Sequence, residues 1–364
     1  MSSARINRIL PKLREHGIDA LIVNRYENRR WVSGVTAHDA SPSANAGWLI
    51  VSETRTVLVT SFLYFGAAVA EASGVDVVQL ESRLATSVAD QLKQLNLRRI
   101  GFDASCFTFK MHSELREALG DFGELVPVDS DLISPLRATK DQEELEETRR
   151  AVEISDRAMT ALFGEIKPGM TEREAAWFLE SHMRVHGAES MAFEPGVAAG
   201  MNASIPHHKP SNYAIQVGDP IWIDIGAKIN GYCSDITRTI TLGKPTEQYR
   251  RIWFQVMEAQ KRSLDTVRAG RTGKECDAVA RDYLQSVGLG QAFGHSLGHG
   301  VGLEIHEMPR LSRLADEKLE PGMIVTVEPG AYLANWGGVR HEELTLITTN
   351  GLEVLTKAEK PLSI

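Results

Sequence analysis

The sequence predicts an α/β protein of two domains, the second of them built by duplication. Its 364 residues exceed the usual size of one domain. The first part alternates helical and strand-like runs, the pattern of an α/β layer. Residues 218–243 and 322–348 then repeat one short pattern. Gly218-Asp-Pro-Ile-Trp-Ile-Asp224-Ile-Gly-Ala aligns with Gly322-Met-Ile-Val-Thr-Val-Glu328-Pro-Gly-Ala, and Gly231-Tyr-Cys-Ser-Asp235-Ile-Thr-Arg-Thr-Ile aligns with Gly338-Val-Arg-His-Glu342-Glu-Leu-Thr-Leu-Ile.

From the N-terminus, an amphipathic helix is expected over residues 4–16, strands at Ala20–Val23 and Trp48–Val51, a hairpin partner at Thr56–Thr60, and a helix from Ser82 to Leu95. Together they suit a mixed sheet with helices. No Gly-x-Gly-x-x-Gly follows these strands, so a dinucleotide site is not supported. Ser134-Pro135 marks the boundary between domains at 1–135 and 136–364. Asp141, with Glu144 three residues on, forms a capping box that opens a charged helix to about Phe163. Lys167-Pro-Gly-Met-Thr171-Glu-Arg-Glu and Arg268-Ala-Gly-Arg-Thr272-Gly-Lys-Glu both read as helix, Gly turn, Thr cap, helix, so the repeat includes helices as well as strands. Each half is two helices followed by strands. Helices stacked on one face of the joined sheet leave the other face concave.

The repeat places acids at matching positions: Asp224 falls on Glu328 and Asp235 on Glu342. Ile221, Ile223 and Ile225 in one copy, and Val325 and Val327 in the other, are β-branched residues between glycines, so each copy reads as strand, Gly turn, returning strand. Hairpins packed side by side bring four carboxylates together. Like charges at such distances raise one another's pKa or require a counter-ion. The strand positions carry no evident matching Lys or Arg, so a pair of cations is expected. Between the copies lies His295-Ser-Leu-Gly-His299-Gly-Val-Gly-Leu-Glu-Ile-His306-Glu, histidines interleaved with glycines in a tight loop. Four carboxylates and a histidine favour Mn, Co, Fe or Zn over an all-oxygen Mg or Ca site.

The runs around Asp224, Asp235, His299–His306, Glu328 and Glu342 resemble the five metal-ligand motifs of the pita-bread metallopeptidases, which include Xaa-Pro dipeptidase, aminopeptidase P, methionine aminopeptidase and the metal-free creatinase. Residues 1–135 resemble the creatinase-type N-terminal domain of prolidase and aminopeptidase P, so the likeness spans nearly the whole chain. It implies a C-terminal pita-bread domain with a pseudo-twofold axis and two divalent metals, Mn²⁺ first among them. In the implied roles, Asp224 chelates one metal, Asp235 and Glu342 bridge both, and His299 with Glu328 completes the second. A bridging water, its pKa lowered from about 15.7 toward neutrality, is then the nucleophile, and Glu328 shuttles its proton to the leaving amine.

The same resemblance points to His207, in Pro206-His207-His208, as a substrate contact in preference to His208, and to His306 as a donor to the tetrahedral intermediate. His295 is a further pocket candidate. Arg340 shares a strand face with Glu342 and can orient that carboxylate, receive a substrate carboxylate, or form a structural salt bridge. Arg310 is a candidate for a dipeptide's free C-terminus. One departure stands out: where the family shows Arg-Ile-Glu-Asp, this chain has Arg340-His341-Glu342-Glu343, and His341 alternates away from the metals.

Composition adds exclusions. A net charge of −8 and no Lys/Arg-rich stretch argue against nucleic acid as the main partner. Cys106, Cys233 and Cys276 lack metal-finger spacing, which suits a reducing compartment, and Cys233 reads as a small buried residue. No signal-peptide core or membrane-length apolar run is evident, which makes cytoplasm the default. The expected substrate is a short Xaa-Pro peptide, a dipeptide above all, with the N-terminal domain restricting access. A homodimer is implied, with loop Gly34–Ala40 reaching a neighbouring cleft. The alternatives are aminopeptidase P action on longer peptides, a non-peptidase amide hydrolase or lyase on the same scaffold, and a non-enzymatic binding module, which would be expected to have lost ligands.

Overall fold

The structure, a computed structural model, describes residues 2–38, 46–128 and 132–364. They form two compact units, Met1–Arg137 and Ala138–Ile364. Asp39 and Ala40 of the loop expected to reach a neighbouring subunit lie outside the described residues.

The first unit is built on a six-stranded mixed sheet, in spatial order Asp76–Gln79, Thr56–Thr60, Trp48–Ser52, Ala20–Val23, Arg99–Asp103 and Glu124–Val128. The expected hairpin is present, with Trp48 opposite Val59 and Val51 opposite Thr56. The three strands that pair only in parallel, Asp76–Gln79, Arg99–Asp103 and Glu124–Val128, escaped the sequence reading, as did the helices Tyr26–Ser33, Phe62–Glu71 and Phe109–Leu119. Asp76–Gln79 sits at the sheet edge and alternates only weakly in burial, so its sequence carries little period-two signal. Ile22, Ile50, Val57, Val88, Leu92, Ile100 and Leu115 make the core between sheet and helices.

In the second unit the capping boxes form as drawn. Asp141 caps Gln142–Glu165, Thr171 caps Glu172–Val185 and Thr272 caps Gly273–Ser286, each with its N3 glutamate answering the cap backbone. Glu247–Thr266 completes the second helix pair. Strand Ile221–Ile225 pairs antiparallel with Ile236–Ile240, and Ile324–Val327 pairs antiparallel with Glu343–Thr348. Each pair encloses a smaller hairpin, Ala227–Ile229 with Tyr232–Cys233 in the first copy and Gly330–Leu333 with Gly337–Arg340 in the second. The repeat is therefore richer than one strand, turn and return per copy. The first returning strand meets the end of the second copy's inner hairpin: Glu342 N–H donates to Thr237 O at 3.1 Å, and Arg340 N–H donates to the Thr239 hydroxyl at 3.0 Å. Burial of β-branched and aliphatic side chains against the helices drives both halves. Ile221, Ile223, Ile236 and Ile240 pack on Leu162, Leu179 and Met183 in one, while Val325, Val327 and Ile347 pack on Val256, Ala280 and Leu284 in the other.

Candidate metal centre

The acids stand at equivalent strand ends. Asp224 is next to last in one central strand and Glu328 directly follows its counterpart, while Asp235 and Glu342 each precede a returning strand. The packing of the two copies gathers them around one cavity of about 270 Å³. Donor atoms of Asp235, His299 and Glu342 all lie within 4.8 Å of one another. His299 Nε2 is 3.6 Å from Asp235 Oδ2 and 3.3 Å from Glu328 Oε1. The strand bearing His299 comes close to its neighbours because of its glycines: a Cβ at Gly298 would lie 2.0 Å from Thr326 O, and one at Gly300 would lie 2.1 Å from Met308 O.

Hydrogen bonds fix the orientation of each group. The Thr237 hydroxyl donates to Glu342 Oε2 at 2.8 Å and accepts from Arg340 Nε at 3.1 Å. The Thr326 hydroxyl donates to Glu328 Oε1 at 3.2 Å and accepts from His299 N–H at 3.0 Å. His299 Nδ1 lies 3.1 Å from Gly300 O, which can only accept, so Nδ1 donates there and Nε2 is the ring atom left to face the carboxylates.

Electrostatics strain this cluster as it stands. Burial, reinforced by Glu342, Asp224 and Glu328, pushes Asp235 well above the usual carboxylate range. Burial, with Glu328 and Asp224, does the same to Glu342. Burial opposes ionisation of Glu328 as well, but His299, His295 and Arg340 outweigh it and hold Glu328 at about 2. Asp224 Oδ1 is buried without a hydrogen-bond partner. An orphaned carboxylate oxygen, mutually repelling acids and an imidazole nitrogen facing them are a donor set that divalent cations would satisfy, so the residues fit a metal site.

The outer residues selected from sequence, His207, His295, His306, Arg310 and Arg340, line the same cavity. His208 turns away, its Nε2 2.9 Å from Glu172 Oε2. The His306 ring meets His299 edge to face at 4.4 Å, and burial, then the His299 and Arg310 charges, lower its pKa to about 4. His295 Nδ1 is 2.8 Å from Ser296 O, leaving a buried Nε2 without a partner. His341 is fully buried outside the cavity, edge-on to Trp253 at 5.1 Å. Glu343 points elsewhere, paired with Arg238 at 3.0 Å and with Lys360. Cys233 is buried.

One expectation needs correction. The strands were read as offering no matching cation, yet Arg340 Nη2 donates to Asp224 Oδ2 at 2.5 Å. Arg340 also donates to the Tyr332 hydroxyl at 2.6 Å, and its guanidinium lies 4.8 Å from the Trp222 ring centroid. Strand alternation placed Arg340 beside Glu342, but its bond to Asp224 crosses between the two copies and leaves no trace in local spacing.

Residues 146–349 match metallopeptidase family M24, and residues 5–139 match the creatinase/prolidase N-terminal domain. The chain belongs to family M24. A Xaa-Pro dipeptidase of Pyrococcus furiosus is 38% identical over 98% of this chain and 99% of its own, and an uncharacterised peptidase of Bacillus subtilis is 37% identical over 96% of each. The solved structure of a Xaa-Pro dipeptidase from Bacillus anthracis matches with a TM-score of 0.95 at 38% identity over 100% of both chains. That of an X-Pro aminopeptidase from Thermotoga maritima matches with a TM-score of 0.88 at 34% identity over 99% of this chain and 100% of its own. The protein is thus an M24 metallopeptidase with the pita-bread fold.

In this M24 enzyme the sequence reading passed over Phe193, Ile305 and Tyr332, which also line the cavity. Tyr332 left one hint. A Cβ at Gly338, its cross-strand partner, would sit 2.7 Å from the Tyr332 ring, so glycine there makes room for it. Phe193 and Ile305 lie in loops without periodicity, and their sequence gave no signal. Among the described residues, no helix is long and apolar enough to cross a membrane.

Proposed function

We infer that the protein hydrolyses Xaa-Pro bonds in short peptides, dipeptides above all, with two divalent cations held by Asp224, Asp235, His299, Glu328 and Glu342. The observation that carries this reading is the convergence of Asp235, His299 and Glu342 donor atoms within 4.8 Å inside one cavity. Asp224, Asp235, Glu342, His299 and Glu328 are the residues that would hold the cations, Asp235, His299 and Glu342 at the centre of the cluster. Bound there, the cations supply an acidified water and a polarised carbonyl, and Mn²⁺ is the first choice.

The chain's own groups do the rest. Glu328, held ionised, accepts a proton from the attacking water at its carboxylate and returns it to the leaving proline nitrogen. His306 is neutral at pH 7 because burial lowers it to about 4, so it acts as an N–H donor toward the carbonyl oxygen as charge develops. His207 and His295 contact the substrate, and the unpartnered Nε2 of His295 is suited to accept from a peptide N–H or ammonium. Arg310, exposed at the cavity, meets a free C-terminal carboxylate. Arg340, occupied by Asp224 and Tyr332, orients the centre.

The relatives named as Xaa-Pro dipeptidases support the substrate, and the Thermotoga X-Pro aminopeptidase supports a second reading in which longer peptides are cleaved. A panel of Xaa-Pro dipeptides and Xaa-Pro oligopeptides with added Mn²⁺, coupled to elemental analysis, separates the two. Failure to cleave any of them would sink both. We also take the protein to be a cytoplasmic homodimer. The exposed Phe62, Leu63 and Val69 on helix Phe62–Glu71 supply apolar surface for association, and sedimentation velocity tests it.

A further inference from the structure

Glu172 lies outside the cavity, at the first turn of helix Glu172–Val185, with 0% of its surface exposed. A carboxylate so buried must be hydrogen-bonded to persist. Its Oε1 accepts from Ala199 N–H at 2.8 Å and Asn202 Nδ2 at 3.0 Å, and its Oε2 accepts from Ser211 N–H at 2.9 Å, the Ser211 hydroxyl at 2.6 Å and His208 Nε2 at 2.9 Å. All these donors belong to one segment, residues 199–211, the stretch that carries Pro206 and His207 into the cavity. The segment is otherwise irregular: a 3₁₀ turn at Gly200–Ser204 followed by loop. Strand Gly196–Ala199 anchors its start, and beyond it single bonds reach the backbone, from Trp222 Nε1 to Ala203 O at 3.0 Å, Arg340 Nη1 to Pro206 O at 3.4 Å and Arg173 Nε to Pro210 O at 3.2 Å, whereas five bonds from both sides of His207 converge on the Glu172 carboxylate.

We propose that Glu172 is a positioning residue, fastening segment 199–211 so that the His207 imidazole faces the substrate. The proposal rests on the functional reading above for what His207 contacts. The second half of the repeat uses a parallel device. Asp277, buried on helix Gly273–Ser286, accepts from Leu297 N–H at 3.0 Å and pairs with Arg281 at 2.7 Å, and Arg281 donates to His295 O at 2.8 Å. The helices capped by Thr171 and Thr272 thus each send one buried carboxylate to a loop bearing a cavity histidine. Through His208, the histidine next to His207 in sequence becomes part of the fastening instead of the site.

The test is Glu172→Gln in the full-length, metal-loaded protein. Its amide offers donors where Ser211 and His208 need an acceptor. Expected are faster amide hydrogen exchange confined to residues 199–213, displaced His207 ring resonances, unchanged metal content, and a loss in kcat/KM of about 10–100-fold on a Xaa-Pro dipeptide. In a His207→Ala background the same substitution should cost little more, because the interaction it supports is already gone. Unchanged exchange and ring resonances, or losses that multiply in the double variant, would overturn the proposal. If the wild-type protein cleaves no Xaa-Pro peptide, the functional reading falls, and exchange together with the His207 resonances decides this one. If Glu172→Gln does not fold, His208→Ala removes a single donor and should give the same pattern with a roughly 2–10-fold loss.

Discussion

Arg340 and Asp224 meet at 2.5 Å across the two copies of the repeat, and the bond takes one carboxylate oxygen while the other is left buried without a partner. The arginine cancels part of the charge that burial would otherwise penalise and turns Oδ1 into the cavity. Arg340→Lys would keep a charge but lose the planar fork that also reaches Thr237 and Tyr332. Metal affinity should fall about 10–100-fold, as read by titration calorimetry. Wild-type affinity would show that Asp224 is oriented by something else.

Asp235→Ala and His306→Ala should separate binding from turnover. The first removes a carboxylate from the tightest group in the cavity, so metal content and activity should disappear together. The second removes a group that faces His299 by its ring edge. Elemental analysis should find its metal nearly intact while kcat drops by roughly 10²–10³. Full metal occupancy in the Asp235 variant would contradict its assigned role.

His341→Leu is expected to stabilise the protein. Both ring nitrogens are buried without partners, and burial, with Lys360 and Arg238 nearby, lowers the ring's pKa far below its usual value. A leucine of similar volume leaves no polar atom unsatisfied, a gain of about 1–3 kcal/mol in chemical denaturation. A lower midpoint would mean that the ring's edge contact with Trp253 outweighs its stranded nitrogens.

Acid should act on the Glu172 fastening with a definite sign. Burial raises its pKa, but bonds from Ser211, Ala199, Asn202 and His208 outweigh this and hold it below the usual 4.5. A depressed carboxylate gives stability that is present above the unfolded value and lost as pH falls through the folded one. The stability difference between wild type and Glu172→Gln, measured by urea denaturation, should therefore be largest near neutrality and shrink below about pH 4.5. A difference constant with pH would mean that the carboxylate's charge is irrelevant there.

By itself the sequence determined the two-part α/β organisation, the capped helices, the duplicated strands and the family. All of these rest on local signals: capping boxes, β-branched runs between glycines, and motif spacing. Tertiary structure decided the rest. It sends His207 to the cavity while His208 goes to Glu172, and it sends Glu342 to the cavity while Glu343 goes to Arg238 and Lys360. It also set the Arg340–Asp224 bond and brought in Tyr332 and Phe193. Neighbours in sequence differ there because their partners lie from 17 to 105 residues away. Which side chain is buried against which is settled by tertiary packing within and between the two halves, and no local spacing encodes it.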